Sequence, residues 1–271
     1  MDALFVQERG EPMEQQYSYE NAVYQANQHI LVHQYTTLAA LDKIINNKSL
    51  RLTRIDLLND TVENERMLEL WQKKTFVSCF THRDSESYFF WKTYSKGDPT
   101  GVKLSLDARS LCQLTIHPDA MCAEEQLSIC KRTILDSSFA DAISSEAWGI
   151  YDSSLVDVMY IPRGQHLENI EHFQGRFKYV EWDAEEETRI RVAIRPKCLE
   201  FRAQGRELQY LTPSNEYVYV KLSDACFENM GITLSPFASD DLREKIEELL
   251  HKNNLIDKVR IHESVLTGES R

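Results

Sequence analysis

The chain has 271 residues, 42% of them hydrophobic and 27% charged, with a formal net charge of −12. This is the composition of an ordinary globular chain with room for a sizeable core, and it excludes a disordered or collagen-like one. The negative field disfavours nonspecific nucleic-acid binding, and no run of 18 apolar residues exists to span a membrane.

Residues 1–28 read as a polar, acidic leader without an apolar signal core, so a cytoplasmic protein is expected. Residues 21–29 read as a short helix. The remainder, 29–271, interleaves strands and helices without a strict βαβ rhythm, which predicts a single α+β domain. A strand is expected over 29–35, then Thr36-Thr37 as a helix cap and a helix over 38–46. Ser49 to Ile55 alternates as a strand, Asn59-Asp60 marks a turn, and a helix follows over 61–74. A buried strand over 75–80 precedes an aromatic helix over 85–95, stopped by Gly97. A strand at 102–106 leads into a weakly patterned, mostly helical insertion at about 107–155. Next come a strand at 156–161, a helix at 166–179, and strands at 217–222 and 232–234. An amphipathic helix at 240–252 and a closing strand at 259–262 end the series.

The absences narrow the chemistry. The nine glycines form no phosphate loop or dinucleotide fingerprint, and there is no zincin helix, nucleophile elbow or kinase set. The six cysteines show no Cys-x-x-Cys pair and no zinc-ligand spacing, so no metal is expected and the thiols read as reduced and mostly buried. No carboxylate cluster for Mg²⁺ stands out, which disfavours a nuclease.

The sharpest signal is Trp182-Asp183-Ala184-Glu185-Glu186-Glu187-Thr188-Arg189. Read as a strand, it points Glu185, Glu187, Arg189 and Arg191 to one side and Ile190, Val192 and Ile194 to the core. That surface is either an active-site wall or an exposed charge ladder. Residues 186–206 form the densest basic region, suited to a phosphate-bearing ligand or to keeping strand edges soluble. His33 and Tyr35 share a strand face, where imidazole suits a sugar hydroxyl. Arg51 shares a face with Thr53 and would hold a pyrophosphate, or simply lie on the surface. Asp60 with Glu63 reads as a helix cap. Tyr88, Trp91 and Tyr94 form one helical stripe, either core or a stacking platform.

Four ordered segments carry a resemblance. HQYTTLAALDKIINNKSLRLTRIDLLNDTVENE, FVSCFTHRDSESYFFWKTYSKGDPTGVKL, WDAEEETRI and ITLSPFASDDLREKIEELLHKNNLIDKVRIHESVL resemble a widespread bacterial family, domain of unknown function two-nine-seven-one. The motif order is, more weakly, similar to ADP-ribosyltransferases of the His-Tyr-Glu type. That similarity implies mixed or antiparallel split sheets with flanking helices and NAD as the cofactor, in a bacterial toxin or phage-defence setting. It implies that His33 holds the adenosine-side ribose and that Tyr94 or Trp91 stacks on nicotinamide. Glu187, or Glu185, would act on the nicotinamide ribose to favour C–N cleavage, with a protein or nucleic-acid acceptor. Glu187→Gln is then expected to abolish turnover with the thermal midpoint nearly unchanged. The Ser-Thr-Ser strand usual in that type is replaced here by Ser78-Cys79-Phe80-Thr81. The alternative is a non-catalytic module sensing a nucleotide or a protein.

Overall fold

A computed structural model describes residues 26, 28–58, 69–112, 148–164, 175–196 and 216–268. The chain is α+β, built on a nine-stranded, mostly antiparallel sheet. Strand β1 (Leu31–Thr37) runs into helix α1 (Leu38–Asn47) and strand β2 (Ser49–Arg54), then a 3-10 turn at Ile55–Leu57. Helix α2 (Glu69–Gln72) precedes β3 (Thr75–Thr81), α3 (Tyr88–Tyr94), β4 (Gly101–Asp107) and α4 (Ala108–Cys112). Next come β5 (Trp148–Asp157), β6 (Met159–Ile161), β7 (Phe177–Tyr179), a 3-10 turn at Val180–Glu185 and β8 (Glu187–Pro196). Strand β9 (Tyr217–Lys221), α5 (Asp224–Glu228), β10 (Gly231–Leu234), α6 (Leu242–Lys252) and β11 (Arg260–His262) complete the order.

Alternation explains the sheet. On β8, Ile190, Val192 and Ile194 are buried in the main apolar cluster, and Arg189 and Arg191 take the other face. Phe76 and Phe80 of β3 join that cluster, and Val77 with Cys79 pack on the opposite side. Helix α1 buries Leu41, Ile44 and Ile45, and α6 buries Leu242, Ile246, Leu249 and Leu250, as helical spacing requires.

The feature that positions the site is a fork in the sheet. One edge of β3 pairs with β8 over its full length. The other edge is shared: β1 pairs at His33↔Thr81, and β2 pairs at Thr53↔Val77 and Arg54↔Phe76. Between those two contacts β1 and β2 diverge, and Gln34 Nε2 donates to the freed Cys79 carbonyl at 3.1 Å. A buried carbonyl without a partner would cost free energy, so this side chain stands in for the missing ladder.

Several local expectations change. The Thr37 side chain makes no capping hydrogen bond, and α1 ends instead with Lys48 in the left-handed region. The expected helical insertion holds the ten-residue strand β5 at its end, because pairing with β8 overrides weak local patterning. The end of the expected 166–179 helix is the strand β7, paired in parallel with β6. Helix α3 ends as expected near Gly97, whose φ is +62 and whose N–H reaches the Trp91 carbonyl. The leader except residues 26 and 28, the turn residues Asn59, Asp60 and Glu63, and most of the insertion lie outside the described residues. Among the described residues no helix is long and apolar enough to cross a membrane.

Candidate functional site

The fork opens into a cavity of about 860 Å³ lined from β1, α1, β2, β3, α3, β7, the 3-10 turn at Val180–Glu185, the start of β8 and β9. Its wall contains His33, Tyr94, Glu185 and Glu187, drawn from three separate stretches of the chain. The sheet register sets two of them. Ser105, His33, Thr81 and Glu187 are successive partners across β4, β1, β3 and β8. Directly opposed residues share a face, so His33 and Glu187 point the same way with Cα atoms about 10 Å apart, two strand spacings.

His33 is 4% exposed. Its Nδ1 lies 2.8 Å from Ser105 Oγ, and its Nε2 has no hydrogen-bond partner. The exposed Asp84 carboxylate stands 3.7 Å from that Nε2, beyond hydrogen-bond reach. Burial, reinforced by the Lys103 ammonium, pushes the imidazole down to about 4, so the ring is neutral at pH 7.

The two glutamates do not share a strand ladder. Glu185 closes the 3-10 turn, Glu186 adopts φ +42, and β8 begins at Glu187. Lys178 joins them, and Arg189 adds a second cation on Glu187. Arg189 donates from Nε to Glu187 Oε1 at 2.7 Å and from Nη2 to Oε2 at 3.2 Å. Lys178 Nζ lies 2.7 Å from Glu187 Oε2 and 2.5 Å from Glu185 Oε2. Tyr94 OH donates to Glu185 Oε1. Two carboxylates and two cations thus balance in a buried setting. Burial opposes ionisation of Glu187, but Arg189 and Lys178 outweigh it and hold the carboxyl down to about 2. Burial likewise opposes the charge on Lys178, yet Glu187 and Glu185 raise its pKa above the ordinary value. Burial, then the Glu185 hydrogen bond, raises the Tyr94 phenol, which therefore stays protonated.

The remaining expected residues divide. Tyr94 is 42% exposed on the cavity wall, and Trp91 is fully buried. Trp91 packs edge-on against Tyr35 and donates to Glu86 Oε2 at 3.1 Å, so it holds α3 in place rather than meeting the cavity. Tyr35 lies on the cavity wall but is buried; its hydroxyl accepts from the Ser87 N–H. Arg189 donates to Glu187 and to the Gly175 carbonyl at 3.0 Å, so both ends of its guanidinium are engaged. Arg51 is exposed on the wall and its guanidinium sits 5.5 Å from the Tyr217 ring centre.

Sequence reasoning passed over Lys178, Trp182 and Lys43, all cavity-lining. Lys178 was hidden because 166–179 reads as a helix. Trp182, 37% exposed with the Lys178 ammonium 5.3 Å from its ring, carries a readable signal. An aromatic among acids has no core to fill.

No family model, no curated protein sequence and no solved structure matches this chain.

Proposed function

We propose that this chain binds NAD in the forked cleft and transfers ADP-ribose to a macromolecular acceptor, as an ADP-ribosyltransferase-like domain of the His-Tyr-Glu type. The observation that carries the reading is the row His33–Thr81–Glu187, which puts a neutral imidazole with a bare Nε2 and an ionised carboxylate on one cavity face. A cavity of about 860 Å³ falls in the range of cofactor-sized sites.

NAD supplies a ribose C1′–nicotinamide bond that breaks to leave neutral nicotinamide, as the acceptor's nucleophile bonds to C1′ and sheds its proton to water. Each residue then has a task. His33 Nε2 is free to pair with a ribose hydroxyl without adding charge. Trp182 and Tyr94 offer exposed rings for stacking a flat base. Lys43 and Arg51 are exposed cations on the wall, suited to a pyrophosphate. Glu185 and Glu187 place negative charge beside developing positive charge on the sugar, the electrostatic device that loosens a glycosidic bond. The acidic chain favours a protein acceptor, since it repels phosphate backbones.

The Arg189–Lys178 grip on Glu187 favours a second reading, a non-catalytic nucleotide-sensing module, because it neutralises the carboxylate a transferase would use. Titration calorimetry with NAD, followed by chromatography for nicotinamide, separates them. Saturable binding with nicotinamide release is the expected result; binding without release leaves the sensor, and no binding ends the transferase.

A further inference from the structure

On the opposite side of the sheet from Glu187, three residues from distant segments meet. His29 precedes β1, His82 follows β3 and Asp157 ends β5. One donor atom from each lies within 4.8 Å of the others. His29 Nε2 is 2.8 Å from Asp157 Oδ2, and His82 Nδ1 is 3.7 Å from Asp157 Oδ1. The donor atoms of a tetrahedral zinc ion stand about 3.4 Å apart, given bonds of about 2.1 Å to nitrogen and oxygen. The two separations bracket that spacing. The imidazoles stack with centres 4.1 Å apart and planes 9° apart, which aligns both rings toward the same carboxylate.

The surroundings resemble a ligand-orienting shell. Thr188 Oγ1 donates to Asp157 Oδ1 at 2.6 Å and also contacts His82 Nδ1 at 3.0 Å. The bond to Asp157 is of the outer kind that orients a metal-ligating carboxylate, whereas the contact at His82 Nδ1 is one that a bound ion would replace. The His29, His82 and Asp157 side chains are 22%, 25% and 11% exposed, so an ion has an entry path. The sequence gives no hint of this: 128 residues separate His29 from Asp157, and no ligand spacing exists.

We propose that His29, His82 and Asp157 form a site for one divalent transition-metal ion, zinc foremost, with the remaining coordination left to water or an outside ligand. Two imidazoles and one carboxylate are a donor set for zinc or iron(II) rather than for magnesium or calcium. The ion would tie the start of β1 to the ends of β3 and β5, directly behind the cleft row.

The test uses the full chain, stripped with chelator and titrated with Zn²⁺ by calorimetry, and with Co²⁺ by absorption. Wild type is expected to take up one equivalent with micromolar or tighter affinity. His29→Ala and His82→Ala are each expected to weaken uptake at least a hundredfold, with His262→Ala unchanged as a control. Asp157→Asn is likewise expected to weaken uptake, and melting curves confirm that the variants fold. The cobalt form is expected to show nitrogen/oxygen coordination. No saturable uptake by wild type, undiminished uptake in the His29→Ala/His82→Ala double variant, or a thiolate-to-cobalt band each overturns the proposal.

Discussion

Glu187 and Arg189, two residues apart on one face of β8, form a two-point ion pair with both side chains withdrawn from solvent. Desolvating two charges is costly, and the pair offsets this only because its geometry is complete and Lys178 adds a third contact. Removing one member leaves charge buried without compensation.

The two glutamates should therefore separate by experiment. Glu187→Gln is expected to lower stability by about 3 kcal/mol, since it takes the carboxylate from the buried Arg189 and leaves Lys178 with Glu185 alone. That departs from the neutral thermal effect that resemblance alone suggests. Glu185→Gln leaves Lys178 still paired with Glu187 and should melt closer to wild type. Its nicotinamide release should fall by about 10²-fold or more if the proposed chemistry holds. Thermal melts and single-turnover assays check this, and equal melting of both variants contradicts the buried-pair account.

Acid sensitivity should appear in two windows. His33 is held down from 6.5 to about 4, so above 6.5 both folded and unfolded chains are neutral there and its contribution is full. As pH falls through 6.5 the unfolded chain gains a proton that the folded one refuses, and stability drops until about 4, by at most ~3 kcal/mol. Glu187 is held down from 4.5 to about 2, so its contribution is present above 4.5 and fades as pH falls toward 2. Urea titrations across pH should show both declines. His33→Gln should shrink the first, leaving the part that burial of His82 contributes, and leave the second unchanged.

The exposed rings should govern affinity more than the buried one. Trp182→Ala is expected to weaken NAD binding about 5- to 100-fold, the range for loss of a stacked base. Trp91→Ala should instead act on folding, at about 3–5 kcal/mol, because it empties a fully buried site. Calorimetry on each variant distinguishes the two. Equal affinity of wild type and Trp182→Ala removes Trp182 from the site.

Gly175 should resist substitution. Its φ is +69, and a Cβ there would stand 2.9 Å from Ile55 Cδ1. Its carbonyl also accepts from Arg189 Nη1. Gly175→Ala is expected to cost about 1–3 kcal/mol from the left-handed backbone and the close contact. An unchanged midpoint in chemical denaturation contradicts this.

Much of the frame is written locally. The alternation in β8 and the spacing of Leu242, Ile246, Leu249 and Leu250 in α6 are steric periodicities, readable without knowing any partner. The same logic identified His33, Tyr94, Glu185 and Glu187, all of which reach one cavity. It failed where pairing decides. β5 and β7 owe their form to β8 and β6, and the stripe of Tyr88, Trp91 and Tyr94 splits because Tyr35 captures only the middle ring.

Local order of residues dictates which faces are apolar, where most elements begin and which chemical groups are on hand. Folding in three dimensions is what makes β1 and β2 divide one edge of β3, sets Arg189 and Lys178 against Glu187, and brings His29, His82 and Asp157 together. Periodicity is a property of neighbouring residues. Register, burial and charge pairing belong to segments far apart in the chain, 176 residues for Lys48 and Asp224, and exist only once the sheet has closed around them.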